Sequence, residues 1–453
     1  MLVKLAYGNV RRSARDFSVY FMTLAFAACL LYSFLASTDY LLALDLTPDQ
    51  REAFAKAGGV LQAFAIFIDV IFCFLLAYAN MFLLRRRKRE FGTYLLLGMA
   101  RNQVALVLIA EIAVTAAASL ACGLILGWML SPLFSLIAAF VFGVAWTPVL
   151  VVSGQAAWQC VCSFVAISLL ATVLSVRGIW KRPLVDLVRL AAVPERRPLS
   201  RGGALRAQKV AAALLLAIVW GTCLLNPGYF IVFIIPLGFV ALFGSYFLIR
   251  VVSSSLPRRL RAHADRYWTG LVPFTVRQLE ARAETGCMAA AAECVLLAAS
   301  MCMTVAGLAF SVGLRTGEFA GAGQVLLPIA YACIFYGAAF LVAAAAVLAL
   351  QQLSKAVDAK ASYRALAVIG TPEELLRVSL LAEVGVCFGV PAALALVHCI
   401  FGFLLIGVLS IMFGVEGVVV FMSATVAMAL CVLGIYYLVT VRACGRYIRY
   451  QAL

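Results

Sequence analysis

Ten apolar segments run through the chain, at about 17–38, 60–84, 104–130, 156–179, 208–226, 229–252, 287–312, 326–352, 376–402 and 418–443. An α-helix rises about 1.5 Å per residue, so about 20 residues cross roughly 30 Å of hydrocarbon. Each segment is long enough to do so, and the longer ones imply tilt or extension past the bilayer. The composition agrees: of 453 residues, 65% are hydrophobic and 12% charged, outside the range of a soluble domain of this size. The chain therefore reads as an all-α polytopic membrane protein. Segment 131–143, SPLFSLIAAFVFG, is too short to span; it is expected to extend the third helix or to lie at the outer surface.

A net charge of +16 can indicate a polyanionic partner, but the placement of the charges points elsewhere. Of 36 Lys and Arg, only Arg51, Lys56 and Arg315 fall on one side of the assigned spans; all others lie on the opposite side. This is the positive-inside asymmetry, which makes the basic side and both termini cytoplasmic. The basic loops then sit at the anionic inner leaflet, and membrane lipid, not nucleic acid, is the expected polyanion. Residues 2–16, LVKLAYGNVRRSARD, read as a basic amphipathic helix along the inner surface and not as a cleavable signal. Residues 270–286 read as its counterpart, with Asn9-Val10 aligning to Gln278-Leu279. Nearly all of the 14 cysteines fall in apolar spans without a CxxC pair, as small apolar filler does.

A pattern occurs twice. Phe91–Glu111, FGTYLLLGMARNQVALVLIAE, is matched by Tyr363–Glu383, YRALAVIGTPEELLRVSLLAE, so that Gly98 aligns with Gly370 and Glu111 with Glu383. Ser175-Val176-Arg177 and Thr440-Val441-Arg442 extend the match to the ends of the fourth and tenth spans. Two related four-span units in parallel orientation follow, residues 1–180 and 256–453. A basic linker and spans five and six, residues 181–255, lie between them. In each repeated loop the apolar residues have near-helical spacing, and the glycine suits a helix end that needs a left-handed residue. The expected element is a short cytoplasmic helix that packs on the bundle or docks into a groove on a partner. Arg101 and Asn102 in the first copy become Glu373 and Glu374 in the second, so the two loops are not interchangeable.

The LxxxNVRR start, the KREFGTYLLLGM loop, its second copy YRALAVIGT and the four-plus-two-plus-four layout together resemble FtsX/MacB-type ABC transporter permeases, in particular the ten-span BceB-like branch. The resemblance implies a permease subunit served by a separate ABC ATP-binding subunit in two copies, with ATP bound by that partner and no cofactor bound here. A second permease or a sensor histidine kinase is a further candidate partner. By the same resemblance, Phe91, Tyr94, Leu95, Gly98 and Met99, with Tyr363, Leu366, Ile369 and Gly370, are the ATPase-docking positions. The implied location is the bacterial plasma membrane, and the implied substrates are amphiphiles such as antimicrobial peptides or lipid-linked cell-wall precursors. The large extracellular domain that such permeases carry between spans seven and eight has only about Val312–Gln324 in its place. An FtsX-like regulator that transmits force to an external partner, or an ion-coupled carrier, are the alternatives.

No catalytic site is expected. There is no Gly-x4-Gly-Lys-Ser/Thr phosphate loop, no HExxH, and the two histidines, His263 and His398, are far apart. Asp69, Glu111, Glu293 and Glu383 interrupt apolar helices, where a charge costs roughly 3 kcal/mol, so each is expected to face the bundle or an interface. Glu111 and Glu383, equivalent across the repeat, are expected to bond a neighbouring helix close to the loops. Pro391 in the ninth span predicts a kink.

Overall fold

A computed structural model describes residues 14–43, 48, 90, 92–148, 150–180, 203–316, 323–412, 414, 415 and 417–449. The expected second span, the basic N-terminal stretch before residue 14 and residues 181–202 of the linker lie outside these residues. Among the described residues the regular structure is entirely helical. That outcome follows from the solvent: hydrocarbon offers no hydrogen bonds, so each spanning segment must satisfy its own backbone.

In chain order the helices are α1 (Ala14–Leu35), α2 (Ser37–Leu42), α3 (Arg101–Met129), α4 (Ser131–Phe142), α5 (Gly154–Trp180), α6 (Gly203–Leu225), α7 (Pro227–Val232), α8 (Ile234–Ala262), α9 (Ala264–Tyr267), α10 (Val272–Thr316), α11 (Gly323–Val368), α12 (Glu373–Met412) and α13 (Val418–Arg449). Seven of them, α3, α5, α6, α8, α10, α12 and α13, contain stretches long and apolar enough to cross a membrane. The expected first and eighth spans correspond to α1 and α11, whose apolar stretches Tyr20–Leu35 and Ile329–Ala345 are shorter. Segment 131–143 forms the separate helix α4, set off from α3 at Leu130 with Pro132 in its first turn. It ends at Gly143 (φ 67°), and the chain returns so that the Val151 N–H donates to Ser131 Oγ at 3.3 Å.

Two helices run on past their spans. α10 has 45 residues and α11 has 46, each about 68 Å long at about 1.5 Å per residue, roughly twice the hydrocarbon thickness. The expected amphipathic helix at 270–286 is thus the first part of α10, and the second repeated loop is the end of α11. Residues 353–362, LSKAVDAKAS, contain no Gly or Pro and five good helix formers of the Lys/Ala type, so nothing interrupts the helix after it leaves the apolar stretch.

The chain divides into two compact units, Met1–Pro194 with Phe310–Phe335, and Glu195–Ala309 with Tyr336–Leu453. In the first, α1 and α3 form the most extensive helix pair. Small residues permit it: a Cβ on Gly123 would lie 2.5 Å from the Ala25 carbonyl oxygen and 2.6 Å from Ala28 Cβ. Ser119 Oγ of α3 donates across the same crossing to the Phe21 carbonyl at 3.2 Å. An aromatic group closes the unit, with Phe335 at 5.1 Å from Phe34 and 5.3 Å from Phe134, ring centre to ring centre.

In the second unit α6 and α8 are the most extensive pair, joined through α7, whose Asn226 side chain caps the Tyr229 N–H at 3.1 Å. Both are tied to α12 by a polar contact that the sequence did not announce. Trp220 Nε1 donates to His398 Nδ1 at 3.1 Å, and His398 Nε2 meets Ser245 Oγ at 2.9 Å. Indole nitrogen can only donate, so Nδ1 is the acceptor and, in the neutral ring, Nε2 carries the proton toward Ser245. The Trp220 ring also stacks on Phe401 at 4.7 Å. α10 and α11 approach as closely as α1 and α3 do: Ser300 Oγ donates to the Gly337 carbonyl at 2.6 Å, and a Cβ on Gly337 would fall 2.1 Å from Thr304 Oγ1.

Replacing Gly123 by Val should lower stability by about 1–3 kcal/mol, since a backbone oxygen stands where the new carbon must go. Gly238→Ala, with nothing within 4 Å of the added carbon, should leave the melting temperature nearly unchanged in the same detergent thermal scan. His398→Ala removes two interhelical bonds and should cost roughly 1–3 kcal/mol, with Trp220→Phe costing less than half of that.

Candidate functional site

The two repeated loops adopt one backbone geometry. In the first, a helical turn over 92–96 ends at Gly98, which takes φ 90°. The Gly98 N–H donates to the Leu95 carbonyl at 3.1 Å and the Met99 N–H to the Tyr94 carbonyl at 3.1 Å. In the second, α11 ends at Gly370 with φ 91°; the Gly370 N–H donates to Ala367 at 3.0 Å and the Thr371 N–H to Leu366 at 3.1 Å. This pair of bonds is the Schellman termination, in which a left-handed residue lets the chain turn back and satisfy the last carbonyls of the helix. Two residues later a new helix begins in each case. The Ala100 carbonyl accepts from Gln103 and Val104 at 2.9 and 3.1 Å, and the Pro372 carbonyl from Leu375 and Leu376 at 3.1 and 3.3 Å. A Cβ on either glycine would meet nothing within 4 Å, so the backbone conformation alone selects glycine there.

This geometry fixes what faces outward. The two residues before each glycine, Leu96 and Leu97 in the first loop and Val368 and Ile369 in the second, are 68%, 77%, 80% and 80% exposed. Four large apolar side chains are thus presented in equivalent pairs at equivalent turns. The sequence-based set of docking positions included Ile369 but not Leu96, Leu97 or Val368. Their shared offset from the glycine is the signal that finds them, once helix periodicity has placed the other residues against the bundle. Of the remaining positions, Gly98 and Gly370 are exposed, Tyr94, Leu95, Met99 and Leu366 are half-buried, and Phe91 lies outside the described residues.

Tyr363 stands apart from that set because it is fully buried. Its ring meets Phe274 of α10 edge to face at 5.2 Å, and its hydroxyl lies 3.2 Å from Ser379 Oγ and donates to Glu383 Oε2 at 3.4 Å. Ser379 in turn meets Thr275 Oγ1 of α10 at 2.7 Å. Two turns from Gly370, the end of α11 is therefore bonded to both α10 and α12. Glu383 is where a bond to a neighbouring helix close to the loop was expected. Glu111 and Glu293 are also buried, at 0% and 1% exposure, while Asp69 lies outside the described residues. Among the described residues no group of three His, Cys, Asp or Glu converges as a metal site would require.

The first turns after the glycines differ in charge. Glu373 and Glu374 sit at the N-terminus of α12, where the helix dipole favours acids. α3 begins instead with Arg101, and its first turn is closed by the Ala100 N–H donating to Gln103 Oε1 at 3.0 Å, a bond Pro372 is unable to make. The two turns thus share shape and apolar display but not electrostatics.

Residues 63–184, which include the first glycine turn, match the family described as FtsX-like permease C-terminal. The chain is also similar to the bacitracin export permease protein BceB of Bacillus subtilis (strain 168), with 24% identity over 228 residues that make up 50% of this chain and 33% of that protein. It is 24% identical over 195 residues to the uncharacterized ABC transporter permease YvcS of the same strain, covering 43% of this chain and 30% of the relative. A third relative, the ABC transporter permease protein YxdM, is 29% identical over 139 residues. The matched region spans about a third or less of each relative's own length. Residues 63–184 are therefore an FtsX-like permease domain, and the chain is related to the BceB-like branch of the FtsX/MacB-type ABC permeases.

Proposed function

We propose that this chain is the membrane subunit of an ABC complex in the bacterial plasma membrane, with both termini cytoplasmic, and that its two glycine turns are the points where two copies of a separate ATP-binding subunit push on it. The observation that carries this reading is the duplicated, solvent-exposed apolar pair in front of a left-handed glycine, Leu96-Leu97 and Val368-Ile369. Exposed aliphatic pairs held on a rigid turn are anchors for a partner's groove; left in water they gain nothing from burial. Movement of the second turn would be carried directly into the bundle, because Tyr363, Ser379, Thr275 and Glu383 bond the end of α11 to α10 and α12.

The substrate in this reading is an amphiphile handled at the membrane, such as an antimicrobial peptide or a lipid-linked cell-wall precursor. The bacitracin export attributed to BceB by its name supports that class, and the apolar character of the chain agrees with it. A force-transmitting role without transport, as in FtsX-like regulators, draws support from the lengths of α10 and α11, 45 and 46 residues.

The test is co-purification of the tagged full chain with a candidate ABC ATP-binding subunit from the same cell, together with the ATPase rate of the complex. Leu97→Glu and Ile369→Glu should each reduce recovery of that subunit at least about tenfold, since a buried charge replaces an apolar anchor worth about 1.5–3 kcal/mol. Gly98→Val and Gly370→Val force a β-branched residue into the left-handed region at a cost of roughly 1–2 kcal/mol, and should also weaken association. Gly98→Asn and Gly370→Asn, which tolerate that region, should retain most of it. Undiminished recovery and ATPase activity in both glutamate variants would remove the docking assignment.

A further inference from the structure

Within the second unit, α8, α10 and α12 enclose a cavity of about 120 Å³. Its walls are aliphatic, with Leu256, Val386 and Val390 among them. Leu256 and Val252, on the α8 side, are also partly exposed, which marks the open side of the cavity. Its polar lining comprises Glu383, Ser253 and Gln278, with the thiols of Cys287 and Cys387. Glu383 lines it, buried, with its carboxylate positioned by the Tyr363 hydroxyl. Ser253 lines it too, and Pro257 brings no N–H to the Ser253 carbonyl one turn earlier in α8.

The first unit shows the same crossing shut. The register that aligns Gly98 with Gly370 aligns Ser119 with Pro391, and the register that aligns Asn9 with Gln278 aligns Phe21 with Ala290. Ser119 Oγ bonds the Phe21 carbonyl at 3.2 Å across α1 and α3. Pro391 and Ala290, which offer no such hydroxyl, both line the cavity in the second unit. The carboxylate is present in both repeats, as Glu111 and Glu383.

We infer that this cavity is a binding site for a primary ammonium group carried on a short aliphatic chain. An ammonium has three donors and no acceptor, which suits a carboxylate and a carbonyl, and its charge complements Glu383. The aliphatic portion lies along Leu256, Val386 and Val390 and enters past Leu256 and Val252. An anionic head is repelled by the same carboxylate, and an alcohol brings one donor without charge. The volume suits a small head and a few methylenes: an apolar cavity of about 150 Å³ holds one benzene. Glu383 is shared with the Tyr363 contact invoked for coupling, but the site does not depend on ATPase docking and its test needs no partner subunit.

The full chain, purified in detergent, is labelled with N-ethylmaleimide, and modification of Cys387, which lines the cavity, is followed by peptide mass spectrometry. Octylamine, octanol and octyl sulfate are compared at pH 7, where an alkyl amine is charged. At about four times its dissociation constant, octylamine should slow Cys387 labelling about fivefold, while the other two slow it less than twofold. Glu383→Gln should abolish the difference between amine and alcohol. Val390→Phe, which fills the cavity and leaves the carboxylate, should remove the rise in melting temperature that octylamine gives the native chain. Equal protection by octanol and octylamine overturns the proposal, as does full amine selectivity in Glu383→Gln. If that variant does not fold, the three-probe comparison on the native chain and the Val390→Phe melt decide the matter.

Discussion

A helix that ends in water leaves its last carbonyls without partners, and the cheapest way to satisfy them within the chain is to turn back through a left-handed residue. Gly98 and Gly370 do this with φ near 90° and the same two bonds each. Everything proposed for the cytoplasmic face depends on that turn. It places the preceding two side chains outward, sets the two-residue step to the next helix, and aims α3 and α12 back into the membrane. Because a Cβ would meet no neighbour at either position, the constraint is conformational and local. It is therefore readable from short sequence and reproduced in two places that share little else.

What lies behind the turns is not duplicated to the same degree. In the second unit the hydroxyl of Tyr363 joins Ser379 and Glu383, and Ser379 meets Thr275, so three helices are bonded together near Gly370. The residue aligned with Tyr363 is Phe91, which has no hydroxyl to offer Glu111. The acids after Gly370 and the arginine after Gly98 add a difference in charge. A pair of like shapes with unlike wiring suits a machine whose two halves carry the same push to different ends.

Spans six and nine illustrate what pattern reading passes over. Ser245 and His398 each look like single polar interruptions in apolar helices, and Trp220 like an interfacial aromatic. Only the packing of α6, α8 and α12 puts their polar atoms within 3.1 Å of one another. Hydrocarbon gives such groups no alternative partner, so the contact specifies which helices are neighbours more than it adds to stability. The lengths of α10 and α11 were missed for the opposite reason. Hydropathy reports where a segment leaves the membrane, while the helix itself continues as long as propensity allows.

The sequence alone determined that the chain is helical and membrane-embedded, because apolar length and the demand for internal hydrogen bonding admit nothing else at this composition. It also determined the two glycine turns, since a positive φ narrows the choice of residue at a single position. The tertiary structure decided which side chains those turns display, that Tyr363 is buried while Val368 and Ile369 are not, and that one of two related helix crossings is bonded shut while the other holds a cavity. These depend on distances between helices, and such distances are set by pairs of small residues and polar contacts from segments far apart in the chain, which no local pattern encodes.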